Sequence, residues 1–125
     1  MKIIKRFLCK LSIFVEENKS TSKNSNMKGL ELTPYIIAYF DNVGDLVTNK
    51  RLQKLLYYIK AWGLVYFEDG VIDDEFEAWV HGPVSPDVYR SYKTFGYNPI
   101  KLDYKGVSSS EYLEKIQERS FKLIR

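Results

Sequence analysis

The stretch TNKRLQKLLYYIKAWGLVYF, residues 48–67, has the strongest helical pattern in the chain. Its apolar positions recur at intervals of three and four residues, which places them on one face of an α-helix, with lysine and arginine on much of the rest. We therefore predict that Thr48 opens a long amphipathic helix at the centre of the fold. The positions on its apolar face are Leu52, Leu55, Leu56, Ile59, Trp62, Gly63 and Tyr66.

Gly63 falls inside this predicted helix, where glycine costs about 1 kcal/mol relative to alanine. Close packing by another backbone would explain the glycine, and fraying near the helix end is the alternative. Before the central helix, Thr33 and Pro34 form an N-cap and first-turn pair. They predict a first helix that ends near Gly44.

A second informative stretch is FEAWVHGPVSPDVYR, residues 76–90. Its first residues alternate between apolar and other side chains, which predicts a short strand ended by Gly82 and Pro83. Ser85 and Pro86 then have the N-cap and first-turn signature of another helix, which we expect to run to Phe95. Residues 97–107 alternate weakly and could pair with the strand. Beyond them, the capping box Ser108-x-x-Glu111 predicts a last helix containing Tyr112, Leu113, Ile116, Leu123 and Ile124.

The 125 residues are enough for one hydrophobic core. The elements above predict a mainly α fold with a small β element (α+β), a compact single helical domain with a short two-stranded hairpin-like sheet. Residues 1–28 carry seven Lys/Arg and two Glu, whereas the remainder carries twelve Lys/Arg and fourteen Asp/Glu. We interpret residues 1–28 as a flexible basic tail and residues 29–125 as the domain. Residues 1–26 are predicted to be dispensable, and translation could begin at Met27.

Cys9 and His81 are the only cysteine and the only histidine. One chain can therefore form neither an intramolecular disulfide nor a Cys/His zinc cluster, so we predict no metal and no cofactor. Residues 1–15 turn from basic to apolar, but Lys10 interrupts the apolar run, which is also too short to span a bilayer. We expect a cytoplasmic protein with no export signal and no membrane partner.

Two enzymatic functions are alternatives for this chain. Asp87, Asp103 and Lys105 imitate the P-D and D-x-K pattern of metal-dependent nucleases, although Asp87 has the position of an acid in a first helical turn. His81 could act as a general base, since its unperturbed pKa of about 6.5 suits proton transfer. A hydrogen-bonded structural histidine beside a Gly-Pro turn is the competing interpretation.

Nucleic-acid binding is a further alternative. The lysines of the central helix with Tyr57, Tyr58 and Trp62 could present cations and stacking rings, and the basic tail could serve a repressor. At helical spacing the rings are expected in the core, and the domain after residue 28 is net acidic, which argues against nucleic acid.

The stretches LQKLLYYIKAWGL (52–64) and DEFEAWVHGPVSPDVYRSYKTFG (74–96) together resemble the Panacea domain, also called the SocA-like antitoxin domain. The resemblance extends from about Leu30 to Leu113. Eighteen positions carry it: Leu52, Gln53, Lys54, Leu55, Tyr57, Tyr58, Trp62, Phe76, Glu77, Ala78, Trp79, His81, Gly82, Pro83, Val84, Pro86, Val88 and Tyr89.

This resemblance implies an antitoxin, a non-enzymatic protein that binds and neutralises a cognate toxin encoded by an adjacent gene. One branch of the family is thought to deliver its toxin to an AAA+ protease. Family members usually continue through further helical sequence after the position of Leu113, so we expect a copy truncated at its C-terminus. No oligomeric state is predicted.

Two sets of residues follow from this reading. The corner that sets the angle between the central helix and the next helix is expected to depend on Trp62, Trp79, Gly82, Pro83 and Pro86. Aromatic and arginine anchors tend to dominate interface energy, so the predicted toxin contacts are Lys54, Tyr57, Tyr58, Glu77, His81, Tyr89 and Arg90.

Overall fold

A computed structural model describes residues 5–11, 27–66 and 70–115 of the chain. Its helices are α1 (residues 5–11), α2 (Gly29–Asn42), α3 (Asn49–Tyr66), α4 (Pro86–Tyr92) and α5 (residues 109–115). A short 3-10 turn, Lys93–Phe95, follows α4, and the strands are β1 (Glu77–Trp79) and β2 (Gly82–Val84). The predicted mainly helical fold with a small β element is confirmed.

The core lies between α2 and α3. Helix α3 buries Leu52, Leu55, Leu56 and Ile59, as the spacing predicted. Helix α2 is buried over most of its length, from Leu32 through Phe40 apart from Pro34. Each fully buried aliphatic or aromatic side chain contributes roughly 1.5–3 kcal/mol to folding. These two helices therefore form the framework on which the remaining elements are placed.

The start of α2 was predicted wrongly. The helix begins at Gly29, and Pro34 lies inside it. Proline has no amide hydrogen to donate to the carbonyl of Leu30 four residues earlier, and the Thr33 hydroxyl donates to that carbonyl instead, at 2.9 Å. The same hydroxyl lies 2.8 Å from the hydroxyl of Tyr92 and so links α2 to α4. Thr33 thus stabilises the helix from within rather than capping it.

The strand β1 pairs with β2, its immediate neighbour in sequence, in an antiparallel hairpin. Trp79 faces Gly82 across the ladder, and Ala78 faces Pro83. The intervening turn holds Val80 and His81, and Gly82 has φ +120°, a conformation that favours glycine. Gly82 and Pro83 therefore form the second strand rather than ending the first.

Residues 97–107, which the sequence left as an alternative partner for this strand, pair elsewhere. Pro99 forms a bridge with Thr48, and the Ile100 amide donates to the Val47 carbonyl at 2.8 Å. Closing a tight hairpin orders far fewer residues than bringing a distant segment to the strand, so the local partner forms the sheet. The 97–107 segment instead covers the connection between α2 and α3.

Helix α1 lies within the segment predicted to be a flexible basic tail. Phe7 and Leu11 are buried in the core, and the Phe7 ring centroid lies 5.1 to 5.8 Å from those of Tyr35, Tyr39 and Phe40. Phe7 and Leu11 are four residues apart, a spacing that places both side chains on one face of a helix. Residues 1–4 and 12–26 of the predicted tail lie outside the described residues.

Two other predicted helix features are confirmed. The Gly63 prediction of close packing holds, because a Cβ there would lie 2.7 Å from Val71 Cγ2 and 3.0 Å from the Val71 backbone nitrogen. The Ser108 hydroxyl accepts the Glu111 amide at 3.3 Å at the start of α5. The predicted helical positions at 116, 123 and 124 lie outside the described residues. Within the described ranges, no helix is both long and apolar enough to cross a membrane.

Candidate partner-binding surface

Two buried amides hold the hairpin and α4 against α3. The Gln53 side-chain oxygen accepts the Ser85 amide at 2.8 Å, and its nitrogen donates to Asn49 Oδ1 at 3.2 Å. Asn49 Nδ2 in turn donates to the Tyr89 carbonyl at 3.2 Å. Since buried polar groups are costly without partners, this network favours one position of α4 on α3.

Asp74 connects α2, α3 and the residue that precedes α4. Its carboxylate accepts the Gly29 amide at 2.8 Å and the Ser85 hydroxyl at 2.7 Å, while its main-chain carbonyl accepts the Lys60 ammonium. A carboxylate at the first amide of α2 also complements the positive end of the helix dipole. Ser85 and Pro86 take the predicted N-cap and first-turn positions of α4, but the Ser85 side chain bonds Asp74 instead of the helix. No motif in the sequence distinguishes Asp74 from the neighbouring acids.

An acidic groove of about 560 Å³ opens beside this junction, between the approach to β1 and the start of α4. Its charged lining includes two cations, Lys28 and Arg90. Lys28 lies 3.4 Å from Asp73, and Arg90 lies 3.1 Å from Asp87. The acids that line the groove are Asp73, Asp74, Glu75, Glu77 and Asp87, so its charge is net negative.

The outward side of α3 is apolar and exposed. Tyr57 and Tyr58 are 48% and 55% exposed, and Leu64 and Val65 are 61% and 78% exposed. With Lys54 and Ala61, which are also exposed, they form a stripe that we call the α3 face. The expectation that the two tyrosine rings lie in the core is therefore wrong. Sequence reasoning also missed Leu64 and Val65, although they follow Tyr57 by seven and eight residues, on the same side of the helix.

The hairpin presents a second exposed surface. Trp79, predicted to fix the fold, is 40% exposed: its ring packs edge-on against Tyr89 with centroids 4.9 Å apart, and its indole nitrogen donates to Glu77 at 3.0 Å. His81 is exposed in the turn, which disfavours the structural, hydrogen-bonded histidine. Pro83 is half-buried in β2.

The other predicted positions divide between core and surface. Trp62 packs against the core, with its ring centroid 5.6 Å from that of Tyr66. Tyr66 was expected on the buried face of α3 but is largely exposed. Arg90 is exposed and paired with Asp87. The structure thus leaves Lys54, Tyr57, Tyr58, Glu77, His81 and Arg90 accessible, and it places Tyr89 half-buried beneath Trp79.

The nuclease arrangement is not assembled. Asp87 follows Ser85, which is joined through Asp74 to the first residue of α2. Asp103 instead lies in a turn near the other end of α2, where the neighbouring Tyr104 hydroxyl donates to Asp41. The rise of an α-helix separates those ends by about 18 Å, too far for one metal ion. Within residues 5–11, 27–66 and 70–115, no group of three or more potential ligands is placed to hold a metal.

Comparison with known proteins identifies the family. The family described as "Antitoxin SocA-like, Panacea domain" matches residues 52–123, more than half of the chain. The chain belongs to this family. The matched residues include α3 from Leu52 onward, the hairpin and α4, and therefore Gln53 and Ser85 of the buried network and the exposed surfaces described above.

One relative with a curated name is Antitoxin SocA of Caulobacter vibrioides (strain NA1000 / CB15N). It is 42% identical to this chain over 50 residues, which are 40% of this chain and 27% of SocA. The match therefore spans only about a quarter of the length of that relative. No solved structure matches the chain. The family description and the name of this relative both refer to an antitoxin.

Proposed function

We propose that this Panacea domain is an antitoxin that neutralises a cognate protein toxin, encoded by an adjacent gene, by binding it directly. The observation that carries the proposal is the exposure of Tyr57 and Tyr58 on a helix whose opposite side is locked by Gln53 and Asn49. Exposed apolar patches of this kind are typical of protein-binding surfaces.

The rigidity of the support matters for affinity. Binding costs free energy when side chains and loops must be ordered at the interface. The α3 face lies on an 18-residue helix, and the hairpin is held by the buried Gln53–Ser85 hydrogen bond, so little ordering of the backbone is needed. We assign toxin contact to Lys54, Tyr57, Tyr58, Glu77, His81 and Arg90, with Tyr89 supporting Trp79 from below.

A direct test is rescue of bacterial growth. The product of the neighbouring gene is expressed in a bacterial host with and without the full chain. We expect growth arrest by the toxin alone and growth with the wild-type chain. The variant Tyr58→Ala should rescue less well, whereas Tyr97→Ala, which truncates an exposed tyrosine that is not part of the α3 face, should rescue as the wild type does. A toxic neighbour that stays toxic beside soluble wild-type protein would contradict the proposal.

Direct blocking and delivery to a protease are two modes of neutralisation with different readouts. In direct blocking, the toxin accumulates in a complex with the chain that can be isolated by size-exclusion chromatography. In delivery to an AAA+ protease, the toxin half-life shortens when the chain is present, and rescue is lost in a host lacking the protease. We propose direct blocking as the main mode. It requires only a toxin-binding surface, whereas delivery also requires a surface that binds the protease.

A further inference from the structure

We infer that the α3 face and the acidic groove together receive one segment of the partner, a basic amphipathic segment with apolar side chains on one side and lysine or arginine on the other. This inference rests on the proposed antitoxin function and specifies the chemistry of the partner. It follows from the continuity of the two surfaces and from the charge of the groove.

The two surfaces meet at Phe76. This residue lines the acidic groove, and its ring packs edge-on against Tyr57, with centroids 5.5 Å apart. The Lys60 ammonium lies 5.5 Å from the centroid of the same ring, so Phe76 is held between α3 and the groove. A partner segment that covers Tyr57 therefore also reaches Phe76 and the carboxylates that line the acidic groove.

The length of the α3 face sets the length of the segment. From Tyr57 through Ala61 and Leu64 to Val65, the exposed positions follow one side of the helix for about 12 Å. Two to three helical turns of a partner match that length. Apart from Lys54, the exposed side chains of the α3 face are apolar or aromatic. The side of the partner that meets this face must therefore itself be apolar.

The charges of the groove select the sign of the partner. Lys28 and Arg90 pair with Asp73 and Asp87, and Glu75 forms no hydrogen bond or ion pair with the described residues. Glu77 accepts only the neutral indole of Trp79 among the described contacts. Two exposed carboxylates thus remain without a cation, so a basic partner is attracted and an acidic partner is repelled.

The same charges disfavour a second copy of the chain as the occupant. A twofold pair of chains uses the same surface on both copies. A pair centred on the α3 face would bring two acidic grooves to one interface, where like charges repel. The apolar face and the groove are therefore better complemented by a partner of opposite charge.

Two synthetic peptides test the inference with the full-length chain. Both are about 18 residues long with the same leucine and alanine stripe, and their polar face is lysine in one and glutamate in the other. We expect fluorescence anisotropy to show binding of the lysine peptide, weakened by added salt, and no binding of the glutamate peptide. Glu75→Lys should weaken the binding of the lysine peptide about tenfold or more, and Leu64→Asp should abolish it. Glu111→Lys, which changes an exposed acid on α5, is the matched control.

Three outcomes would overturn the inference. Equal binding of both peptides would remove the role of charge, and equal loss in Glu75→Lys and Glu111→Lys would show nonspecific attraction. A dimer of the chain alone, seen by sedimentation and broken by Leu64→Asp, would show that a second copy covers the α3 face. Circular dichroism must show that each variant remains folded, and Leu64→Ser replaces Leu64→Asp if the latter unfolds.

The toxin itself gives a charge-swap test. Rescue lost in Glu75→Lys should return when one lysine or arginine of the toxin segment is changed to glutamate. If wild-type rescue occurs but Glu75→Lys rescues equally well and binds the lysine peptide unchanged, this inference fails and the antitoxin function stands. If the peptides behave as expected but the toxin is not neutralised, the surface chemistry stands and the antitoxin function fails.

Discussion

The side-chain oxygen of Gln53 accepts the backbone amide of Ser85 at 2.8 Å, and this buried hydrogen bond ties α3 to the residue that precedes α4. The two residues are 32 positions apart and belong to the two stretches that carry the family pattern. The bond therefore explains in physical terms why the central helix and the Gly-Pro corner form one unit. It also makes the exposed hairpin a fixed part of the surface.

Replacing Gln53 by alanine tests this link. The change leaves the Ser85 amide and the Asn49 side chain buried without their partner, which costs about 1–3 kcal/mol for each unsatisfied group. We expect the free energy of unfolding, measured in urea, to fall by that order. Lys54→Ala changes the exposed neighbour and should stay within about 0.5 kcal/mol of the wild type. Equal unfolding midpoints for the two variants would show that the network contributes nothing.

Gly29→Ala should destabilise the protein although alanine is the better helix former. The added Cβ would lie 2.6 Å from Asp74 Oδ2 and 3.1 Å from Asp74 Cγ, so the carboxylate must move away from the Gly29 amide and the Ser85 hydroxyl. A double-mutant cycle with Asp74→Ala separates the two effects. In the Asp74→Ala background the same glycine substitution should be neutral or stabilising. Additive losses would contradict a role for this contact.

The sequence predicted the helices themselves better than it predicted the contacts between distant elements. The period of α3 and the caps at Thr48 and Ser108 depend on residues within one or two turns, and the structure contains all three. The start of α2 was misplaced because Pro34 lies inside the helix, where the Thr33 hydroxyl donates to the Leu30 carbonyl in place of the missing proline amide. The burial of Phe7 depends on aromatic rings of α2 that lie far along the chain.

The candidate surface was predicted only in part for a related reason. A periodic apolar pattern identifies a helix but does not say which side other elements cover. Ile59 is buried and Tyr58 is exposed, because the covering elements come from distant parts of the chain. The junction at Asp74 was missed because its partners Gly29, Lys60 and Ser85 are brought together only by the tertiary fold.

Phe7→Ala should cost about 3–5 kcal/mol of folding free energy, as expected when a buried aromatic ring is removed from a core. The loss reflects the vacated space between α1 and the rings of Tyr35, Tyr39 and Phe40. Cys9→Ala, at an exposed position of the same helix, is the control and should change little. The measurement compares the thermal unfolding midpoints of both variants with that of the wild type. Stability of Phe7→Ala equal to that of the wild type would support the prediction that residues 1–26 are dispensable.

Asp45 should make the stability of the protein depend on pH in the acid range. Both of its carboxylate oxygens accept hydrogen bonds from Arg51 at 2.7 Å, and these bonds lower the pKa of Asp45 from its usual value. A carboxyl group whose pKa is lower when folded stabilises the fold above its unfolded pKa of about 3.9, and that stabilisation is lost as the pH falls through the folded pKa. Because the Arg51 side chain is 36% exposed, we expect no more than about 1 kcal/mol, and less at high salt.

Urea unfolding of the wild type and of Asp45→Asn at pH 7, at pH 5 and well below the unfolded pKa checks this expectation. The difference between the two proteins should be largest at pH 7 and pH 5 and should shrink once the Asp45 carboxylate of the folded wild type takes up a proton. Asp103→Asn, at an exposed turn, controls for the general effect of removing one acid. A difference that persists unchanged into acid would mean that Asp45 contributes through packing and neutral hydrogen bonds, since the charge of the carboxylate would then carry none of the stabilisation.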